Sequence, residues 1–200
     1  MLSKVVFGGL SLLLPFVLIT PSFAGGKGKT QIIRLEAELD PVGVAIGTDA
    51  EGESDYRRQI QKGAVKQERF ELTAKVPIPS PALGITDETT AANADVRVFL
   101  SHDGTPATIY AICYLAFTEI DNDGGTDTEA VYKVDVRNQP GKKGASRLHE
   151  VHGSCDINPS TATVDNGVPV VAANDVATVA VVAPVTLVQT DFLESVYQTD

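Results

Sequence analysis

Apolar and polar side chains alternate along much of the chain. Ile33, Leu35, Ala37 and Leu39 interleave with Arg34, Glu36 and Glu38, which predicts a strand over 31–39 with one dry and one wet face. The period returns in Phe70, Leu72, Ala74 and Val76 against Arg69, Glu71, Thr73 and Lys75. It recurs in Val96, Val98 and Leu100, and in Ala130, Tyr132, Val134 and Val136 against Val131, Lys133 and Asp135. Residues 54–60 are more polar, which predicts an edge strand whose charges discourage unwanted pairing, with Gly63 turning the chain into 69–76. The stretch 107–119 (ATIYAICYLAFTE) breaks the rule. Its odd positions, Ile109 to Phe117, and its even positions, Tyr110, Ile112, Tyr114 and Ala116, are both apolar, so it predicts one central strand covered on both faces.

Turn chemistry separates these runs. His102-Asp103-Gly104-Thr105, the acidic 121–127 segment and 138–144 (NQPGKKG) read as turns, followed by a short strand over 147–155. Asp165-Asn166-Gly167 predicts a hairpin between 161–164 and 168–171. Residues 77–94, with prolines at 77, 79 and 81, predict a long surface connection that crosses between sheets; the alternative is a ligand for a proline-reading groove. Residues 176–188 are apolar and β-branched, split by Pro184, and suit buried or covering strand structure. No amphipathic pattern of three helical turns follows residue 24. The expected class is all-β.

The first 24 residues have the anatomy of a secretory signal peptide: Lys4, an apolar run from Val5 to Ile19 broken by Gly8, Gly9 and Pro15, then Ser22-Phe23-Ala24 as a cleavage site. A membrane anchor needs about 20 uninterrupted apolar residues. The expectation is therefore an exported chain, periplasmic or extracellular, with no membrane span once 1–24 is removed. Residues 25–30 form a flexible lead-in and 31–200 a single domain. Gly25 to Lys29 resembles the end of a phosphate-binding loop, but the first glycine of that motif would fall on Phe23.

Composition narrows the partners. The mature chain carries 15 basic and 26 acidic side chains, a net charge of −11. Such a balance disfavours nucleic acid and anionic membranes and favours cations such as calcium. The absence of Trp argues against a broad aromatic platform.

Cys113 and Cys155 are the only cysteines, and in an oxidising compartment the pair reads as a disulfide. That bond constrains topology. In a flat meander of 107–119, 128–138 and 147–155 the two cysteines would lie two strands apart, about 9.6 Å from spacings of about 4.8 Å. A disulfide needs Cα atoms within about 7 Å. The expectation is that the last strand leaves the meander, giving a single-domain antiparallel β-sandwich with Greek-key order.

Four constellations carry candidate chemistry. Asp121, Asp123, Asp127 and Glu129 offer alternating oxygens on a Gly-rich loop, as calcium requires, although the spacing departs from an EF-hand; the alternative is a solvated turn. His149 and His152, with His102, Glu150 or Cys155, raise a zinc site, but strand parity puts the first two on opposite faces unless a bulge intervenes. Ser101, His102 and Asp103 are triad types, yet they are consecutive and no nucleophile elbow accompanies them. Arg57, Arg58, Lys62, Lys66 and Arg69 gather charge around one hairpin, either as a site for an anion or partner or as a guarded edge.

Tyr110 and Tyr114 would bind a protein or glycan partner if residues 176–188 do not cover them. These readings together favour an exported, non-catalytic binding or structural module without a cofactor. The alternatives are a calcium-stiffened adhesion domain built on 121–129 and a secreted metal-dependent or hydrolytic enzyme using His149 or His152.

Overall fold

The structure is a computed structural model that describes residues 29–45, 48–122, 128–140, 146–183 and 186–199. The export signal read over 1–24 lies outside the described residues, as do Asp123 and Asp127. Twelve strands form among the described residues: β1 Thr30–Pro41, β2 Glu51–Gln61, β3 Ala64–Ile78, β4 Val96–Ser101, β5 Ile109–Tyr114, β6 Ala116–Asp121, β7 Thr128–Pro140, β8 Ser146–His152, β9 Ser154–Asp156, β10 Val176–Val182, β11 Gln189–Val196 and β12 Gln198–Thr199. All named pairs are antiparallel. The strands join in the order β6-β7-β3-β2-β1-β11-β10-β4-β5-β9, with β8 on β7 and β12 on β1. The all-β class and the disulfide are as the sequence reads. The architecture is one sheet curled into a half-barrel, joined between its two arms by the short β1–β11 ladder.

The alternating dry faces line the inside of the curl. Leu35, Phe70, Leu72, Val134, Leu100 and Phe192 belong to one buried cluster that spans both arms. Tyr56, Tyr132 and Tyr197 are its largest fully buried side chains. Each buried phenol has a partner: Tyr56 donates to Glu68 Oε1 at 2.7 Å, Tyr132 to the Ala91 carbonyl at 3.0 Å, and Tyr197 Oη lies 2.6 Å from Ser54 Oγ. The connection 77–94 does cross from one arm to the other, but it is not merely surface. Leu83, Ile85 and Ala91 plug the core, and α1, Glu88–Asn93, starts at a capping box on Asp87.

The topology departs from the sequence reading at two breaks. Residues 107–119 are two strands, not one. The chain bends at Leu115, whose N–H donates to the Val96 carbonyl at 2.9 Å, so that β5 stays on β4 while β6 crosses to β7. Residues 147–155 bend likewise at Gly153, leaving β8 on β7 and β9 on β5. Meander and disulfide therefore coexist. The exclusion assumed unbroken strands, and both strands are broken. Cys113 and Cys155 are directly opposed on β5 and β9, with Cα atoms 3.9 Å apart.

Three further expectations are corrected. The 54–60 strand is not an edge; β2 pairs with β1 and β3 along its length, and its polarity reflects an outer face turned to solvent. Of the two readings of 176–188, buried strand holds and cover does not: 176–182 form the buried strand β10 between β4 and β11. No hairpin forms over 161–171. The Asp156 carboxylate instead accepts from the N–H groups of Asn158 and Asp165, and Gly167 N–H donates to Cys155 O, so this loop closes on the end of β9.

Candidate functional site

Residues directly opposed in an antiparallel ladder share a face. On the outer face of the first arm the register opposes Arg34 to Arg57, Arg57 to Arg69, and Arg69 to Arg137. His149 on β8 follows, opposite Arg137. Two residues along, the next row opposes Glu36 to Asp55, Asp55 to Glu71, and Glu71 to Asp135. On the far side of the arginines Gln59 opposes Gln67. Four strands thus lay a row of guanidiniums beside a row of carboxylates and a pair of amides.

Like charges directly opposed destabilise a sheet, on the order of 0.5 kcal/mol per pair. The two ends of the arginine row meet this cost differently. At the β3–β7 end Asp135 is buried between two guanidiniums. Its carboxylate accepts from Arg69 Nε at 3.2 Å and Nη2 at 3.0 Å, and from Arg137 Nε at 2.8 Å and Nη2. Burial pushes its carboxyl up, but the two paired guanidiniums outweigh that and hold it at about 2. Arg69 also pairs with Glu71. At the β2 position Arg57 is exposed and makes no side-chain hydrogen bond or ion pair among the described residues. A shallow depression of about 260 Å³ runs along the row, lined by the four arginines with Asp55, Gln59 and Gln67.

The hairpin cations divide in the structure. Arg57 and Arg69 enter the outer row. Arg58 lies on the inner face, its Nε 3.3 Å from Glu68 Oε1, and Lys62 occupies the turn with φ +55°. Arg34 and Arg137, from strands distant in sequence, complete the row. Arg34 reads as outward in the sequence and Arg137 continues the parity of Val131, Lys133 and Asp135, but only the strand order and register bring them beside Arg57 and Arg69.

A second polar centre forms at the other arm. Asp175, 3 % exposed, accepts from Tyr110 Oη at 2.8 Å and Ala172 N at 2.8 Å, and lies 2.9 Å from His102 Nδ1. The His102 ring stacks on Tyr110 with centroids 4.6 Å apart. Burial and the Asp175 bond push the Tyr110 phenol far above its ordinary range. A bulge between Leu100 and Ser101 in the β4–β5 ladder separates Tyr110 from Tyr114. Tyr110 packs on the main core, whereas Tyr114 lies under the Arg97 guanidinium at 4.8 Å.

Ser101, His102 and Asp103 do not converge. Ser101 Oγ, in a buried residue, accepts from Gly104 N, and Asp103 accepts from the hydroxyls of Thr105 and Thr108. His149 and His152 do return to one face, because a bulge in the β7–β8 ladder opposes them to Arg137 and Asp135. That places His149 beside a cation rather than beside further ligands.

Of the acidic loop, Asp121 and Glu129 are opposed on β6 and β7, with Lys75 Nζ 3.9 and 3.7 Å from their carboxylates and 3.0 Å from Glu51. Burial raises the Glu129 carboxyl while Lys75 lowers it, with a net rise. Among the described residues no group of three or more His, Cys, Asp or Glu is arranged to hold a metal ion. No described helix is long and apolar enough to cross a membrane. Comparison with protein-family models, curated proteins and solved structures finds no match.

Proposed function

We propose that the chain is an exported, non-catalytic binding module whose ligand lies on the outer face of β1, β2, β3 and β7. The observation that carries the reading is the arginine row. The fold aligns four guanidiniums across four strands; Asp135 holds Arg69 and Arg137, but the exposed Arg57, opposed to a like charge on either side, is left without a partner among the described residues. Such a departure from local consistency has a reason where a ligand supplies the missing counter-charge. The inner face offers no comparable surface, since its side chains are buried against one another. Export is supported by the pattern of residues 1–24 and by the disulfide, which persists in oxidising compartments.

The test is a mixed array of neutral and charged glycans and peptides, probed with the chain before and after its outer face is blocked. Glu53→Cys, coupled to a bulky maleimide, places the block on β2 away from the disulfide. Signals that fall on blocking locate the ligand on this face. Equal signals before and after blocking refute the reading.

A further inference from the structure

We infer that the ligand is a linear carbohydrate polymer bearing carboxylate or sulfate groups, laid across the strands along Arg34, Arg57, Arg69 and Arg137. This rests on the reading of the outer face as the binding surface. Guanidiniums match carboxylate and sulfate with two parallel N–H donors, which a lysine cannot do; Arg57 offers that fork whole, whereas Arg69 and Arg137 hold Asp135 through Nε and Nη2 and offer a ligand only their remaining N–H groups. The row contains arginine alone. With strands about 4.8 Å apart its four members span about 14 Å, the reach of a short run of polymer rather than of one small anion. Gln59 and Gln67 line the same depression and add neutral donors and acceptors suited to sugar hydroxyls.

The neighbouring rows decide against nucleic acid. Glu36, Asp55 and Glu71 run parallel to the arginines about 7 Å away, two residues along each strand. A duplex with phosphates on both sides of a groove would meet this acidic row, whereas a narrow chain would not. Among β1, β2, β3 and β7 the two rows carry no aromatic side chain; the imidazoles of His149 and His152 stand only at their β8 end, so a run of bases finds no continuous stacking platform there. The net charge of −10 repels a long polyanion at range and confines attraction to this row.

The experiment titrates the full chain with fluorescently labelled polygalacturonate, dextran sulfate, neutral dextran and a single-stranded oligonucleotide, at low and physiological ionic strength. One or both anionic carbohydrates bind, more weakly as salt rises, and the tighter of the two identifies the anionic group. Neutral dextran does not bind. Arg57→Glu weakens binding by roughly tenfold or more. The same substitution raises the melting temperature, because it places opposite charges beside Arg34 and Arg69. A variant that is more stable yet binds less cannot have lost affinity by unfolding.

Neutral dextran or the oligonucleotide binding as tightly as the anionic polymers overturns the inference, as does unchanged affinity in Arg57→Glu. If the array signals lost on blocking Glu53→Cys are neutral glycans, the inference falls while the outer face stands as the binding surface. If blocking changes nothing, both fall.

Discussion

Gly153 passes so close to the Tyr114 carbonyl that a Cβ at that position would lie 2.1 Å from the oxygen. Its φ of +60° is also one that side chains other than hydrogen rarely adopt. The contact sits where β8 becomes β9, one residue from the break between β5 and β6, so the crossing of the two bent strands depends on a residue with no side chain. Gly153→Ala is expected to cost more than about 3 kcal/mol, because both backbone clash and left-handed strain must be relieved. Gly63→Ala is the control: φ is +77° but nothing lies within 4 Å, and the cost is about 1 kcal/mol. Urea midpoints of the two variants check the difference, and equal losses would refute the crossing as the cause.

The disulfide holds the same crossing together. Strand β9 has only three residues, and its ladder to β5 consists of three pairs with the cystine at the centre. Cys113 and Cys155 are 42 residues apart, so cross-linking removes roughly 4 kcal/mol of loop entropy from the unfolded chain. Replacing both cysteines by alanine is expected to lower the melting temperature by about 8–16 °C, on the usual conversion for a domain of this size. Hydrogen exchange should quicken first in β9 and in residues 157–175. Uniform quickening across the sheet would mean that the bond acts on the whole fold rather than on this seam.

Strand periodicity was legible where each strand has one wet face, as in Leu35–Leu39 and Phe70–Val76. The two breaks were not, because nothing in the pattern of 107–119 distinguishes one buried strand from two collinear ones sharing Leu115. Gly153 was the available signal: a glycine inside a strand pattern marks a bulge or a close approach. The arginine row was half legible. The hairpin supplied Arg57 and Arg69 as local neighbours, but Arg34 and Arg137 join them only through the pairing of β1 with β2 and β3 with β7. The link between His102 and Asp175 spans 73 residues and follows from β10 pairing with β4, which no local pattern encodes.

Asp175 is expected to be the most sensitive polar position in the second arm. Its carboxylate is buried and takes three polar contacts, from Tyr110, His102 and the Ala172 amide. Asp175→Ala removes the acceptor of the half-buried Tyr110 phenol and of the amide of the exposed Ala172, and should cost about 2 kcal/mol. Tyr110→Phe removes one donor and leaves the others in place, costing about 1 kcal/mol. Denaturant midpoints for the two variants and their combination check the coupling. In the double variant the loss should fall short of the sum, since Tyr110 has no Asp175 bond left to lose.

Acid reports on the buried carboxylate of the arginine row. Asp135 has a folded value of about 2 against an ordinary 3.8, so the folded state binds its proton more weakly than the unfolded state does. The stability it contributes is therefore fully present above the ordinary value and is lost as the pH falls through about 2. With the pair partly solvated, that contribution is roughly 1–2 kcal/mol. Asp135→Asn should show this deficit at neutral pH, measured as a lower urea midpoint. The gap to the unsubstituted protein should narrow below about pH 4 and close only below about pH 2, where Asp135 becomes neutral in the folded state as well. A gap that stays constant down to that pH would mean that shape, rather than the charge held between Arg69 and Arg137, accounts for the difference.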